Sequence, residues 1–197
     1  VYMSKKILII GSGIAGISSS LKLKSYGLES IIIDKGNFIG GRIGTRDVKI
    51  KDKSHYFFHG AQFFTAKSDN FQKVVQNGIN KKYIKEYGSF SPPRYRGFKS
   101  MRNFLINLSQ NLNIIQNVKV TNVIPYNDKI SILDNKSNIW RTYDGVISTL
   151  PAPKPNVLNP IESSATFPTK INKSAQEIFF PYFCLIGHKS NLALSKF

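Results

Sequence analysis

The chain has 197 residues, and its 28 Lys and Arg against 11 Asp and Glu give a formal charge of +17. At 41% hydrophobic and 12% aromatic it is too apolar for a disordered tail, and no stretch approaches the roughly 20 apolar residues that span a bilayer. The length suits one or two domains. The basic excess alone would fit nucleic acid, an acidic membrane surface or an anionic small molecule. It is made of 22 Lys and only 6 Arg, and Lys, Ile and Asn together fill 64 positions. These residue types have A/T-rich codons, so codon drift is the leading explanation of the charge.

The single Cys184 rules out an internal disulfide and a cysteine-based metal cluster, which fits a reducing, cytoplasmic setting. Lys5 and Lys6 precede an apolar run as in a signal peptide, but the glycines that follow, and the lack of a suitably placed small-residue cleavage site, argue against one. Val1 and Tyr2 precede Met3, so the expectation is a natural start at Met3 or a fragment.

In chain order, residues 7–10 are a β-branched apolar run bounded by glycine, as in a buried parallel strand. Gly11-Ser12-Gly13-Ile14-Ala15-Gly16 follows, and apolar positions Ile14, Ile17, Leu21, Leu23 and Tyr26 predict a helix ending at Gly27. Residues 30–33 form a second buried run closed by Asp34. Strand, glycine turn, helix and strand make a βαβ unit with the glycine turn at the carboxyl end of the first strand. Beyond it, residues 48–50 and 56–58 read as short strands, 71–77 as a helix, 81–99 as a basic loop, and 101–112 as a helix with a clean apolar stripe. Residues 118–124, 129–133, 139–142 and 145–150 read as strands, with turns at 126–128 and 134–136. Pro151, Pro153, Pro155, Pro160 and Pro168 exclude long regular structure after them.

Gly11, Gly13 and Gly16 fit the dinucleotide fingerprint, each with its own task. Gly11 permits the tight turn, Gly13 lets the backbone approach a pyrophosphate, and Gly16 allows close packing of helix on strand. The helix N-terminus then offers free N–H groups and a partial positive charge to the phosphates. Asp34 lies 23 positions after the first glycine, where a carboxylate accepts hydrogen bonds from both ribose hydroxyls of an adenosine. It would repel a 2′-phosphate, so NADP is disfavoured.

Just past the Asp34-Lys35 pair, Gly40-Gly41-Arg42 with Thr45 and Arg46 resembles the second signature of flavoproteins of the amine oxidase and renalase superfamily. The resemblance implies that the paired glycines bring the backbone close to FAD and that Arg42 lies against its pyrophosphate or flavin side; an arginine fork suits phosphate oxygens better than an ammonium does. His59-Gly60-Ala61-Gln62-Phe63-Phe64-Thr65-Ala66, followed by Phe71, is similar to the segment beside the isoalloxazine ring in renalase-like proteins. Tyr143-Asp144-Gly145-Val146-Ile147-Ser148-Thr149-Leu150-Pro151-Ala152-Pro153 resembles the strand and Pro turn that return to the FAD domain. Val118-Lys119-Val120 suits the strand whose backbone meets the adenine.

What this resemblance implies is an α/β fold: a Rossmann-like, doubly wound FAD-binding domain over 1–75 and 115–155, interleaved with part of a β-rich substrate domain over 76–114 and 156–197. The cofactor would be FAD, held by Gly11, Gly13, Ala15, Gly16, Asp34, Lys35, Gly41, Arg42, Gly60, Ala61, Gln62 and Val120, with no side chain singled out as a catalyst. The implied reaction is oxidation of a reduced small molecule, a dihydronicotinamide dinucleotide or an amine, by hydride transfer to flavin. Two departures stand out. Phe58 replaces an Asp common before the His-Gly-Ala-Gln block, and the Gly-Asp segment that completes the flavin site in relatives of over 300 residues is not in this sequence, which suggests a fragment or a truncated protein. Residues 179–187 are similar to a sheet strand of the substrate domain.

Two other readings compete with the enzyme: a non-catalytic nucleotide-binding remnant and a basic nucleic-acid-binding module. The second rests on residues 81–99, where Lys81, Lys82, Lys85, Arg94, Arg96 and Lys99 interleave with Tyr83, Tyr87, Phe90, Tyr95 and Phe98. The plainer expectation for that stretch is a solvated loop of the substrate domain; another is attraction of an anionic dinucleotide. His55, His59 and His188 are too dispersed for a metal site, and His59 suits packing or hydrogen bonding better than catalysis. Ser18-Ser19-Ser20 lies on the fingerprint helix rather than on a nucleophile elbow. The expected partner is a small-molecule substrate, with no nucleic acid and no membrane.

Overall fold

A computed structural model of the chain describes residues 5–127 and 129–150, together with the strand Cys184–Ile186. The described residues fall into two compact units, one of 5–37 with 113–150 and 184–186, the other Phe38–Leu112. Residues 38–75, grouped with the FAD domain in the reading of the sequence, pack with 76–112 in the second unit.

The first unit begins with strand β1 (Lys6–Ile10), helix α1 (Ile14–Ser25) and strand β2 (Glu29–Ile33). β1 and β2 pair in parallel with Leu8 opposite Ile31, so the helix is a crossover connection. Gly27, at φ +72°, follows the helix end, where only glycine takes a left-handed turn without strain. In the second unit β3 (Thr45–Ile50) and β4 (Lys53–Phe58) form a hairpin turning through Lys51 and Asp52, both at positive φ. Helix α2 (Asp69–Asn80), with Ser68 at its N-cap, leads to strand β5 (Ile84–Glu86); strand β6 (Tyr95–Gly97) and helix α3 (Met101–Leu108) follow. The predicted basic loop thus contains a short antiparallel ribbon of β5 and β6. The apolar stripe to Leu112 overshoots α3, because the chain leaves the helix after Ser109 to form β7 (Asn113–Ile115), which adds in parallel to β2.

Strands β8 (Val120–Tyr126), β9 (Lys129–Asp134) and β10 (Ile139–Tyr143) form a three-stranded antiparallel sheet, and β11 (Gly145–Ser148) returns beside β1 in parallel. Cys184–Ile186 is β12, antiparallel to β11, giving the sheet order β12-β11-β1-β2-β7. This corrects the expectation that the 179–187 stretch serves the substrate domain: its described part joins the five-stranded sheet of the first unit, pairing with backbone groups that β11 offers at that edge. The rest of that stretch, and the five prolines from Pro151 on, lie outside the described residues.

Alternation along β1 sends its side chains to two layers. Leu8 and Ile10 pack with Ile33, Ile130, Ile132, Tyr143 and Val146, a core shared with the three-stranded sheet. Ile7, Ile9 and Ile32 are buried too, and Ile9 lies on the side where α1 packs. Burial raises the Tyr143 hydroxyl above its ordinary range.

One buried carboxylate closes the β9–β10 turn. Asp134 accepts hydrogen bonds from the backbone N–H of Lys136 and Asn138, from the Asn138 side chain and from the Trp140 indole, at 2.8–3.0 Å. Desolvation alone would raise its pKa, but these four donors outweigh it and lower the group to about 2. Because the folded value lies below the unfolded one of about 3.9, the stability it contributes is complete above pH 4 and disappears as pH falls through about 2. Trp140 is the single tryptophan, so its emission should change between pH about 4 and 2 in the native chain. In Asp134→Asn that change should vanish; an unchanged acid profile in this variant would exclude Asp134 as the titrating group.

Among the described residues no helix is long and apolar enough to cross a membrane.

Candidate functional site

The fingerprint residues gather at the carboxyl ends of β1 and β2. The Gly11 N–H donates to the Ile33 carbonyl at 2.8 Å, drawing the glycine turn onto the end of β2. Gly11 stands at φ +108°, a conformation open to glycine. A Cβ on Gly16 would lie 1.9 Å from the Gly11 carbonyl oxygen, so α1 meets the turn backbone to backbone. Gly13 differs: a Cβ there would meet nothing within 4 Å. It is the N-cap of α1, no side chain caps the helix, and no acidic residue lies in its first turn, which also holds Ala15. The first N–H groups of an α-helix have no intrahelical partner, so this end offers donors and positive potential to an anion.

Asp34 follows β2 and is held by three donors. One carboxylate oxygen accepts the Ser12 backbone N–H at 2.5 Å and the Ser12 hydroxyl at 2.7 Å; the other accepts the Gly36 N–H at 2.7 Å. Ser12 is fully buried. The Asp34 N–H donates to Ile115, and its carbonyl accepts from Val118, which fixes the backbone on both sides of the carboxylate. Lys35 is exposed, and Val120 starts β8 opposite Asp134, partly buried against the core. Residue pattern alone assigns Ser12 no role; its one signal is a hydroxyl between two fingerprint glycines. Thr149 also supports the turn. Its N–H and hydroxyl both donate to the Ile10 carbonyl, and the hydroxyl also reaches the Gly11 carbonyl at 3.3 Å.

The other proposed contacts lie in the second unit and form their own cluster. Gly40 and Gly41 are both at positive φ and lead into a 3-10 turn, Gly41–Ile43. The Arg42 carbonyl accepts the Ala61 N–H at 2.9 Å, and a Cβ on Gly60 would lie 2.0 Å from that same oxygen. The Gly-Gly-Arg turn and the His-Gly-Ala-Gln block are therefore packed together. Gly41, Arg42, Gly60, Ala61 and Gln62 are all exposed. The His59 ring lies against Gly44, where a Cβ would be 2.6 Å from Cε1, in keeping with a packing role. Among the described residues no group of three or more His, Cys, Asp or Glu converges as a metal site.

Residues 9–77 match the family described as NAD(P)-binding Rossmann-like domain. The chain carries a Rossmann-like domain. Over 39 residues, 20% of the chain, it is 46% identical to 4,4'-diaponeurosporene oxygenase of Staphylococcus haemolyticus (strain JCSC1435), covering 8% of that protein. A match of the same length, 44% identical, covers 5% of Lysine-specific histone demethylase 1 of Caenorhabditis elegans. The crystal structure of tetracycline destructase Tet(51) resembles the chain with a TM-score of 0.50 at 16% identity, over 75% of this chain and 39% of that one. That likeness is one of fold. The chain spans well under half the length of each of these proteins.

Proposed function

We propose that the chain is the nucleotide-binding portion of an FAD-dependent, renalase-like oxidoreductase that oxidises a reduced small molecule, a dihydronicotinamide dinucleotide or an amine. The observation that carries this reading is the pairing of an open, uncapped Gly13 helix end with an Asp34 carboxylate locked at the end of β2. That arrangement fits an adenosine diphosphate moiety. Backbone N–H groups at Gly13, Ile14 and Ala15 would receive the diphosphate, and Asp34 would accept from the ribose hydroxyls. Gly36 and Ser12 occupy three of the roughly four acceptor sites of its carboxylate, so Ser12 sets its direction while leaving capacity for a ribose.

By the family resemblance, Gly41, Arg42, Gly60, Ala61 and Gln62 of the second unit, and Val120 of the first, are further proposed FAD contacts. FAD, when bound, supplies the hydride acceptor; the residues of this chain bind and orient it. The Rossmann match supports a nucleotide cofactor in general, and the family resemblance of the Gly-Gly-Arg and His-Gly-Ala-Gln blocks is what favours FAD over a bare nicotinamide nucleotide. Titration calorimetry tests the reading: ADP-ribose and FAD should each bind saturably, and a 2′-phosphorylated ADP-ribose should bind at least tenfold more weakly because its phosphate would face Asp34. Equal binding of the 2′-phosphorylated ligand would remove Asp34 from the site.

A further inference from the structure

The β5–β6 ribbon carries a set of cations that the proposed cofactor site does not use. In its register Lys85 lies opposite Arg96 and Glu86 opposite Tyr95, and the Tyr87 N–H continues the ladder to the Arg94 carbonyl. Alternation places Lys85, Tyr87, Arg94 and Arg96 on one face and Glu86 on the other. Like charges directly opposite each other across a ladder are destabilising, and no acidic residue among the described residues pairs with Lys85, Arg94 or Arg96.

The arginines are nonetheless held in place. The Arg94 guanidinium lies between two rings, 4.0 Å from Phe90 and 4.4 Å from Phe63, and Arg96 lies 4.9 Å from the Tyr87 ring. Phe63 and Tyr87 stack at 6.1 Å, so rings and guanidiniums form one layered array. Stacking uses the faces of a guanidinium and leaves its N–H edge to bind anions. Neither arginine has a hydrogen-bond acceptor among the described residues, and Arg96 Nε is buried without one. Phe90 remains 45% exposed, enough to accept another flat ring.

We propose that this face binds a nucleoside diphosphate moiety: the arginine edges take the phosphates and Phe90 stacks the base. Each strand has three residues, about 10 Å at roughly 3.3 Å per residue, a span that fits a diphosphate rather than a polynucleotide tract. The ligand's identity as a dinucleotide substrate rests on the oxidoreductase reading above; the site itself does not.

Equilibrium dialysis of the full chain against ADP at low salt tests it, with near-ultraviolet circular dichroism confirming each variant's fold. The wild type should bind ADP at two separable sites. Arg94→Lys with Arg96→Lys keeps the charge but loses the fork, and should weaken one site at least tenfold; Asp34→Ala should weaken only the other. Phe90→Leu removes the base platform and one of the two rings that hold Arg94, so it should weaken ADP about tenfold at the ribbon and inorganic pyrophosphate by a smaller factor, and it decides the matter if the arginine pair fails to fold. Undiminished ADP binding in the lysine pair or in Phe90→Leu overturns the proposal. So does binding of oligo(dT) that tightens with strand length, which would assign the face to nucleic acid. An Asp34→Ala variant with both sites intact would instead count against the Rossmann site and leave the ribbon site standing.

Discussion

Gly16→Ala is expected to lower stability by about 1–3 kcal/mol, the usual range for forcing atoms into a filled site, which corresponds to roughly 3–10 °C in Tm for a chain of this size. The added Cβ would fall 1.9 Å from the Gly11 carbonyl oxygen and 3.1 Å from its carbon. That backbone cannot retreat cheaply, because Gly11 donates to Ile33 and its carbonyl is met by Thr149. The same change at Gly13 should behave oppositely. There the Cβ meets nothing within 4 Å and φ is −73°, so stability should fall by less than about 1 kcal/mol, the cost of a poorer N-cap. Its methyl group would instead stand on the path of a diphosphate toward the helix end, and ADP-ribose binding should weaken at least tenfold. Thermal unfolding and calorimetric titration of the two variants should therefore dissociate. If Gly13→Ala proves as unstable as Gly16→Ala and binds ligand normally, the division of tasks among the glycines is wrong.

Asp34→Ala should damage both stability and binding. It removes the acceptor of two buried Ser12 donors and of the Gly36 N–H, and a buried donor left without a partner costs about 1–3 kcal/mol. A net loss of about 2–3 kcal/mol is expected on that basis. Ser12→Ala removes only the hydroxyl donor and should cost about 1 kcal/mol. Since the two residues touch, their effects should not add: in a double-mutant cycle the pair should be less destabilised than the sum of the single variants by at least about 0.5 kcal/mol. Strict additivity would show that the Ser12 contact does not hold the carboxylate. In binding, loss of a charged acceptor for ribose should weaken ADP-ribose roughly 10- to 100-fold.

The βαβ unit was legible because its signals are local and mutually consistent. A β-branched run ends at Ile10, glycines stand at the spacing that a tight turn and a close helix require, and Asp34 ends a second apolar run. The meander of β8 to β10 was legible for a similar reason, since Asn and Asp turns separate its apolar stretches. What was missed depends on partners distant in sequence. Asn113–Ile115 has too few residues to show a period and becomes a strand by pairing with β2. The ribbon strands are equally short, and Arg94 and Arg96 read as loop charges until the chain folds back onto Phe63, more than 30 positions earlier in the sequence. Ser12 was visible as a residue, but its task depends on Asp34, 22 positions away.

The Gly11–Gly16 turn and Asp34 are proposed to form one adenosine diphosphate site. Calorimetric titration of the chain with ADP-ribose, in wild type, Gly13→Ala and Asp34→Ala, tests it most directly. Wild-type binding should be saturable, and each variant should weaken this site at least tenfold, with Gly13→Ala still as stably folded as the wild type to within about 1 kcal/mol. Binding in which both variants match the wild type, or no saturable binding by the folded wild-type chain, would contradict it.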